Sequence, residues 1–331
     1  CTIDHKKSAN MKTIATISLI TCFSLPMIFA TSAAAADYPE RPISTLISFG
    51  AGGNTDVGAR ILFPAVEREL GVPLNIINRP GGGGWVGWTQ LLNSPSDGYT
   101  LGYINTPNLI TGYLDPQYRR NVDLADFEPI ANHVTDYGVI SINKDEKRFS
   151  DIDELVAYAQ ANVLTASTTG ANGDDHIAML KMNHQYNTQF VPVHTTGTAE
   201  QRAAIQGGHV DVNFSNVGDT NMAHRNGDLN IIAIMAPERS SFIPDVPTLE
   251  ELGYSGVISW SARGIAAPKG IDPAQRELLE AAFVRGMQDP EHMARMEEMG
   301  LMVDIRTGDA YREMLEEEEE SVRALEDLLG W

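Results

Sequence analysis

From residue 38 onward, short apolar runs alternate with amphipathic stretches, and glycine-rich or hydroxyl-rich turns separate them. Residues 43–49 predict a strand, the turn Gly50 to Asp56 leads into helical spacing over 57–70, and residues 74–78 predict a second strand. A further glycine turn, Pro80-Gly81-Gly82-Gly83-Gly84, precedes a helix over 85–92 and a strand over 99–104, which completes a βαβαβ unit. Residues 138–143 predict another strand and 151–161 a helix capped by Ser150. The rhythm then restarts. Strands are predicted at 164–167, 189–193, 210–214, 229–235 and 259–267, and helices at 172–183, 198–206, 272–287, 290–299 and 309–329.

Two strand–helix series joined by crossings near 137–142 and 259–265 predict a discontinuous first domain, 37–138 plus 261–331, with a second, 139–260, inserted in it. A ligand cleft between them is the expected consequence. In open α/β sheets small ligands bind beyond the carboxyl ends of strands, where loop amides and helix N-termini converge.

The first 36 residues read differently. Met11-Lys12, an apolar run over 14–30 and the small-residue stretch Ser32 to Ala36 predict a secretory signal peptide cleaved after Ala36. A lipoprotein site at Cys22 and an uncleaved anchor helix are the rival readings, disfavoured by Thr21 and by Pro26 respectively. Both cysteines, Cys1 and Cys22, lie in this leader, so no disulfide framework is expected in the exported body. The formal net charge of −20 makes nucleic acid an improbable partner. It also means that an anionic ligand must be attracted locally, against the overall field. The run Glu316 to Glu320 reads as the solvated face of a final helix.

Three polar loops carry the candidate chemistry. Phe49, Ala51, Gly52, Gly53, Asn54, Thr55 and Asp56 form the first, at the start of a helix whose free N–H groups and dipole suit a carboxylate without any lysine or arginine. Ser167, Thr168, Thr169, Gly170 and Asn172, followed by His176, form the second; Thr195, Thr196 and Gly197 form the third. Each alone is commonly a capped turn, and their recurrence in both halves points to binding. Gly82-Gly83-Gly84-Trp85-Val86-Gly87 matches a dinucleotide fingerprint but lacks the acidic residue about 20 positions on, so turning and close packing explain it better. No zincin helix, nucleophile elbow, cysteine nucleophile or phosphate-loop lysine is present, and the histidines show no metal-type spacing. No catalytic residue, metal or cofactor is therefore expected.

The chain resembles the substrate-binding receptors of tripartite tricarboxylate transporters, the Bug receptor family, over nearly all of its mature length. The resemblance rests on Tyr38-Pro39-Glu40-Arg41-Pro42-Ile43, Phe49 to Asp56, Asn78-Arg79-Pro80-Gly81-Gly82-Gly83, Asp97-Gly98-Tyr99-Thr100-Leu101, Pro244-Asp245-Val246-Pro247-Thr248 and Ala266-Ala267-Pro268. It implies an α/β, two-domain Venus-flytrap periplasmic binding protein with its ligand cleft between the domains. It implies a small organic anion, a di- or tricarboxylate or related acid, delivered by a monomer to the membrane subunits of such a transporter. The ligand contacts it implies fall on the three loops and on Ser215 and Asn216. Departures stand at Thr195-Thr196 in place of Tyr-Lys, at Ser215 in place of Asp, and at Asp174 and Asp175 in place of hydroxyl residues. They suggest a ligand of different shape or polarity from a plain aliphatic diacid. A periplasmic carboxylate-processing enzyme and a receptor serving a sensor kinase are the alternatives.

Overall fold

β1 (Ile43–Ile47) lies parallel to β2 (Leu74–Asn78) and β3 (Thr100–Thr106), with α1 (Asn54–Leu70) and α2 (Trp85–Leu92) as crossovers and α3 (Asn108–Leu114) following β3. The expected βαβαβ unit is therefore present. The computed structural model describes residues 38–331, which form one compact unit. The leader, its cleavage point and both cysteines lie outside the described residues. No helix among the described residues is long and apolar enough to cross a membrane.

β4 (Phe127–Asn143) is the joint of the molecule. Its first part, to Tyr137, pairs antiparallel with β9 (Trp260–Pro268), and its last part, from Gly138, pairs with β7 (Val212–Asn216) and β8 (Leu229–Met235). Between them in sequence come α4 (Ile152–Ala161), β5 (Leu164–Thr168), α5 (Asp174–Tyr186), β6 (Phe190–His194), α6 (Thr198–Gln206) and α7 (Val217–Arg225). The spatial order is β2-β1-β3-β9-β4-β7-β5-β6, and β10 (Val303–Thr307) also pairs with β4. Helices α8 (Pro273–Met287), α9 (Pro290–Met299), α10 (Gly308–Arg323) and α11 (Glu326–Leu329) complete the chain.

Two apolar cores flank this joint. Leu62 and Val66 of α1 pack with Leu279 and Phe283 of α8 beneath β1 and β3; Leu155, Met179, Phe190 and Phe214 pack together around β5–β7. Each fully buried side chain of this size contributes about 1.5–3 kcal/mol. Local signals start α8 and α9 alike: Asp272-Pro273 and Asp289-Pro290 place an N-cap carboxylate before a proline that has no N–H to orphan.

The structure departs from the sequence reading in several places. Asp151, not Ser150, caps α4, accepting from the Glu154 amide at 2.9 Å. β4 begins at Phe127 rather than 138 because it is buried on both faces, which removes the alternation that betrays a strand. The final helix breaks after Arg323. Elements α3, α7 and β10 were not predicted. Glu316, Glu317 and Glu320 are solvated, Glu319 is half-buried and accepts from the Tyr113 hydroxyl at 2.7 Å, and Glu318 falls on the inward stripe with Tyr311, Leu315 and Val322. Burial pushes its carboxyl up to about 7.

The glycines of the apparent dinucleotide fingerprint serve packing. A Cβ on Gly84, at φ +104°, would lie 2.4 Å from the Trp88 ring, and one on Gly87 would lie 3.0 Å from the Ser48 Cα.

Histidines far apart in sequence do meet. His292 Nδ1 lies 2.8 Å from the Met287 carbonyl and so carries its proton there; His133 Nε2 then donates to His292 Nε2 at 2.9 Å. The Tyr103 hydroxyl completes the chain by donating to His133 Nδ1 at 3.0 Å. Two neutral rings satisfy every contact, and burial holds both pKa values low.

Candidate functional site

The carboxyl ends of β1, β3, β5 and β7 converge on a cavity of about 30 Å³, enough for a single water. Phe49, Gly53, Asn54 and Thr55 reach it from the first predicted loop, Thr169 from the second, and Asn216 from the end of β7. Thr198, at the start of α6, stands there instead of Thr195 to Gly197. Asn105, Asn108, Asp174, Ser261 and Arg263 complete the wall and were not predicted. Asn105-Thr106-Pro107-Asn108 follows a strand with the same grammar as the three loops, a signal available in the sequence.

Buried polar atoms mark this cavity. Asn54 Nδ2, Asn105 Oδ1, Asn108 Nδ2, Ser261 Oγ and Arg263 Nη1 all lack a hydrogen-bond partner in the protein. Buried polar groups are nearly always paired, so five orphans around one cavity define a site built for a polar guest.

The backbone amides, by contrast, are largely spent inside the protein. The Gly52 amide donates to Asp56 Oδ2 at 2.9 Å, the Asn54 amide to Thr198 Oγ1 at 3.0 Å, and the Gly50 amide to the Thr196 carbonyl at 3.3 Å. Only the Thr55 and Asp56 amides at the start of α1 remain without such partners. At α5 the dipole already faces its own acids, because Asp174 and Asp175 occupy the first turn. The buried cation that lines this cavity is Arg263.

Arg263 is buried at 4% exposure, and Asp136 Oδ2 lies 3.2 Å from its Nη1 without the alignment of a hydrogen bond. Its Nη2 donates to Asn216 Oδ1 at 3.3 Å and lies 4.0 Å from Asp219 Oδ2. Asp174 accepts from Asn216 Nδ2 at 2.8 Å, and Asp175 accepts from the Thr169 amide at 3.1 Å and from the Thr169 hydroxyl at 2.9 Å. Four buried acids around one guanidinium cannot all be ionised. Burial drives the Asp136 carboxyl up to about 7 against the pull of Arg263, and raises Asp174, Asp175 and Asp219 as well.

These acids hold protons when folded that the unfolded chain has released between about pH 4 and pH 7. Their stabilising contribution is therefore complete below that window and lost as pH rises through it. The buried, neutral His133, His176 and His292 favour the higher pH, so the acids are isolated by comparison: from about pH 5.5 to pH 8 the wild type should lose more melting temperature, or gain less, than Asp136→Asn. Anion affinity should fall in the same direction, since each lost proton adds negative charge beside Arg263. The same pH dependence of melting temperature in wild type and Asp136→Asn, with affinity equal at both values, would contradict this protonation.

A second cavity of about 300 Å³ adjoins the first and shares Phe49, Asn108 and Thr169 with it. Gly170, Asn172, Thr195 and Thr196 line this vestibule, together with His194, Trp85 and Arg120. The remaining predicted residues stand apart from both. Ala51 and Gly52 are exposed, and Asp56 is a tether that holds Arg60, Asn78 and the Gly52 amide. Ser167 and Ser215 are buried against Asn213. Thr168 Oγ1 meets His194 Nδ1 at 2.7 Å. His176 accepts from the Asn172 amide at 2.9 Å and crosses the His194 ring edge-on at 4.9 Å; burial takes its pKa down to about 4. Gly197 precedes α6 in an extended conformation and reaches neither cavity. No cluster of three or more His, Cys, Asp or Glu among the described residues could hold a metal ion.

The mixed α/β body with a polar cavity at its strand ends matches the fold of periplasmic solute-binding proteins. It resembles the periplasmic binding protein BugD, with a TM-score of 0.82 at 25% identity over 88% of this chain and 99% of that one. The chain belongs to the tripartite tricarboxylate transporter family receptors, whose sequence model matches residues 59–328. It is 29% identical over 304 residues, 90% of each chain, to the "UPF0065 protein in gbd 5' region" of Cupriavidus necator. MatC from Rhodopseudomonas palustris, solved with bound malate, shares the fold at a TM-score of 0.81 and 24% identity over 88% of this chain and 100% of that one. The family is one of substrate-binding receptors, not enzymes.

Proposed function

We propose that this receptor captures a small carboxylate anion in the central cavity and presents it to the membrane subunits of a tripartite tricarboxylate-type transporter. The observation that supports this reading is the ring of unpaired Asn54, Asn105, Asn108, Ser261 and Arg263 atoms. Arg263 and the carboxamide and hydroxyl donors suit carboxylate oxygens, and the free Thr55 and Asp56 amides add two donors at the positive end of α1. MatC, of the same fold, was solved with malate bound.

The flytrap reading supplies the motion. Residues 37–138 with 261–331 form one lobe and 139–260 the other, hinged where β4 and β9 cross, and this structure corresponds to the closed arrangement. The Asn54–Thr198 and Gly50–Thr196 hydrogen bonds join the lobes, and Asn172 Nδ2 reaches Asp115 Oδ2 at 3.3 Å. A cavity of about 30 Å³ cannot hold a dicarboxylate, so the lobes must part for entry and close less far over a bound guest than they do here. Export to the periplasm through the predicted signal peptide completes the reading.

A thermal-shift screen over mono-, di- and tricarboxylates tests it. At least one acid at a hundredfold its Kd should stabilise the protein by about 2.7 kcal/mol, a rise of several degrees in Tm. A flat response across the whole panel, with neutral solutes or amines shifting Tm instead, would contradict it.

A further inference from the structure

The vestibule contains a cation that the protein itself leaves unmatched. Arg120 follows a short turn at Pro116–Tyr118, and its guanidinium carbon sits 4.4 Å over the Trp85 ring and 4.3 Å over the Tyr118 ring. Its Nη1 donates to the Gly112 carbonyl. No carboxylate among the described residues comes within 4.0 Å of it. Asp115 acts on it from farther away, but that carboxylate is already engaged: Oδ1 accepts from the Gln117 amide at 2.9 Å, and Oδ2 accepts from Gln117 Nε2 at 2.7 Å and from Asn172 Nδ2 at 3.3 Å. Burial depresses the Arg120 pKa, as it does for a cation that loses water without gaining a counter-ion.

Two aromatic faces fix the guanidinium plane and leave its remaining donors free. The cavity it borders has about 300 Å³, the lower end of small-ligand sites, and shares Phe49, Asn108 and Thr169 as a common wall with the central cavity. Phe49, Trp85 and Tyr118 give its lining an apolar side. We infer that the cargo is a dianion with an apolar spacer: one carboxylate enters the central cavity, the spacer lies along Phe49 and Trp85, and the second anionic head is taken by Arg120. This rests on the carboxylate reading above and deepens it. Arg263 and Arg120 then hold the two ends of one molecule from the same lobe, and Arg120 selects for a second charge. The apolar wall also favours a spacer of methylenes or a ring over the differently shaped or more polar cargo that the departures at Thr195, Thr196, Ser215, Asp174 and Asp175 suggest from sequence.

Isothermal titration with straight-chain α,ω-diacids from succinate to suberate, and with monoacids of matching length, tests the assignment on the wild-type protein, Arg120→Gln and Arg120→Lys. In Arg120→Gln the loss of affinity for the tightest diacid should exceed the loss for its matched monoacid by about tenfold or more, as expected for a charge-assisted contact. Arg120→Lys keeps the charge and the ring contact, guards against a folding defect, and should recover part of the diacid preference. Equal losses for both classes, or no loss for the diacid, would overturn the role of Arg120 while leaving carboxylate capture standing. A wild-type protein that binds neither series would overturn both.

Discussion

Arg263→Leu is expected to lower the melting temperature by about 5–8 °C, the largest stability effect of any single substitution in the cavity. Among the described residues the guanidinium is the one fully buried cation beside Asp136, Asp174, Asp175 and Asp219, which are all buried too; Arg202 acts on Asp219 from a more exposed position. Removing one partner of a buried ion pair costs about 3–5 kcal/mol because the other charge is left in a medium that cannot solvate it. Part of this loss can be escaped by protonating the acids, so the deficit should shrink as pH falls toward about 5. The double variant Arg263→Leu with Asp136→Asn should recover a measurable share of the stability, since the nearest acid is then neutral at every pH. A Tm within two or three degrees of wild type for Arg263→Leu, read by thermal unfolding, would show that the acids are not held in check by this residue. Ligand affinity should vanish in the same variant.

Asn54→Leu separates stability from binding in the opposite sense. The Asn54 Nδ2 is buried without a partner, so the ligand-free protein bears its desolvation cost and gains nothing from it. Replacing the carboxamide by an apolar group of similar size should leave Tm unchanged or raise it, by an amount corresponding to about 1 kcal/mol. Carboxylate affinity should fall at least tenfold, because a donor at the guest's own position is gone. Ser261→Ala repeats the test with a smaller change of volume, its hydroxyl being equally unpartnered. A variant that loses stability yet keeps its affinity would place these groups in the scaffold. Natural binding sites trade stability for function in this way, and the trade is measurable here in one titration and one melt.

The elements that were legible from sequence are those whose signals are local. The glycine turn before α1, the Asp-Pro starts of α8 and α9 and the strand–polar loop–helix grammar each act within a few residues, and the described structure contains them. Loops 49–56 and 167–172 do converge, through Phe49, Gly53, Asn54, Thr55 and Thr169. What could not be read is what the topology brings together. Arg263 stands in the middle of an apolar strand, and its meaning comes from Asp136 and Asp219, which other strands and helices deliver. His133 and His292 are 159 positions apart and share one hydrogen bond. Asp174 and Asp175 looked like departures near a loop; in the fold they are buried in the first turn of α5 and accept hydrogen bonds from Asn216 and Thr169. The amide-only picture of capture failed for the same reason, since a free N–H in a sequence motif becomes an occupied one when Thr198 or Asp56 folds against it.

The decisive experiment is a crystal structure of the protein with the acid that most raises its melting temperature. One carboxylate is expected between the lobes, its oxygens about 2.7–3.2 Å from donors of Arg263, Asn54 and Ser261 and from the Thr55 amide. If the acid instead sits outside this cavity, with Arg263 still facing only Asp136, Asp219 and Asn216, the assignment of the site is wrong.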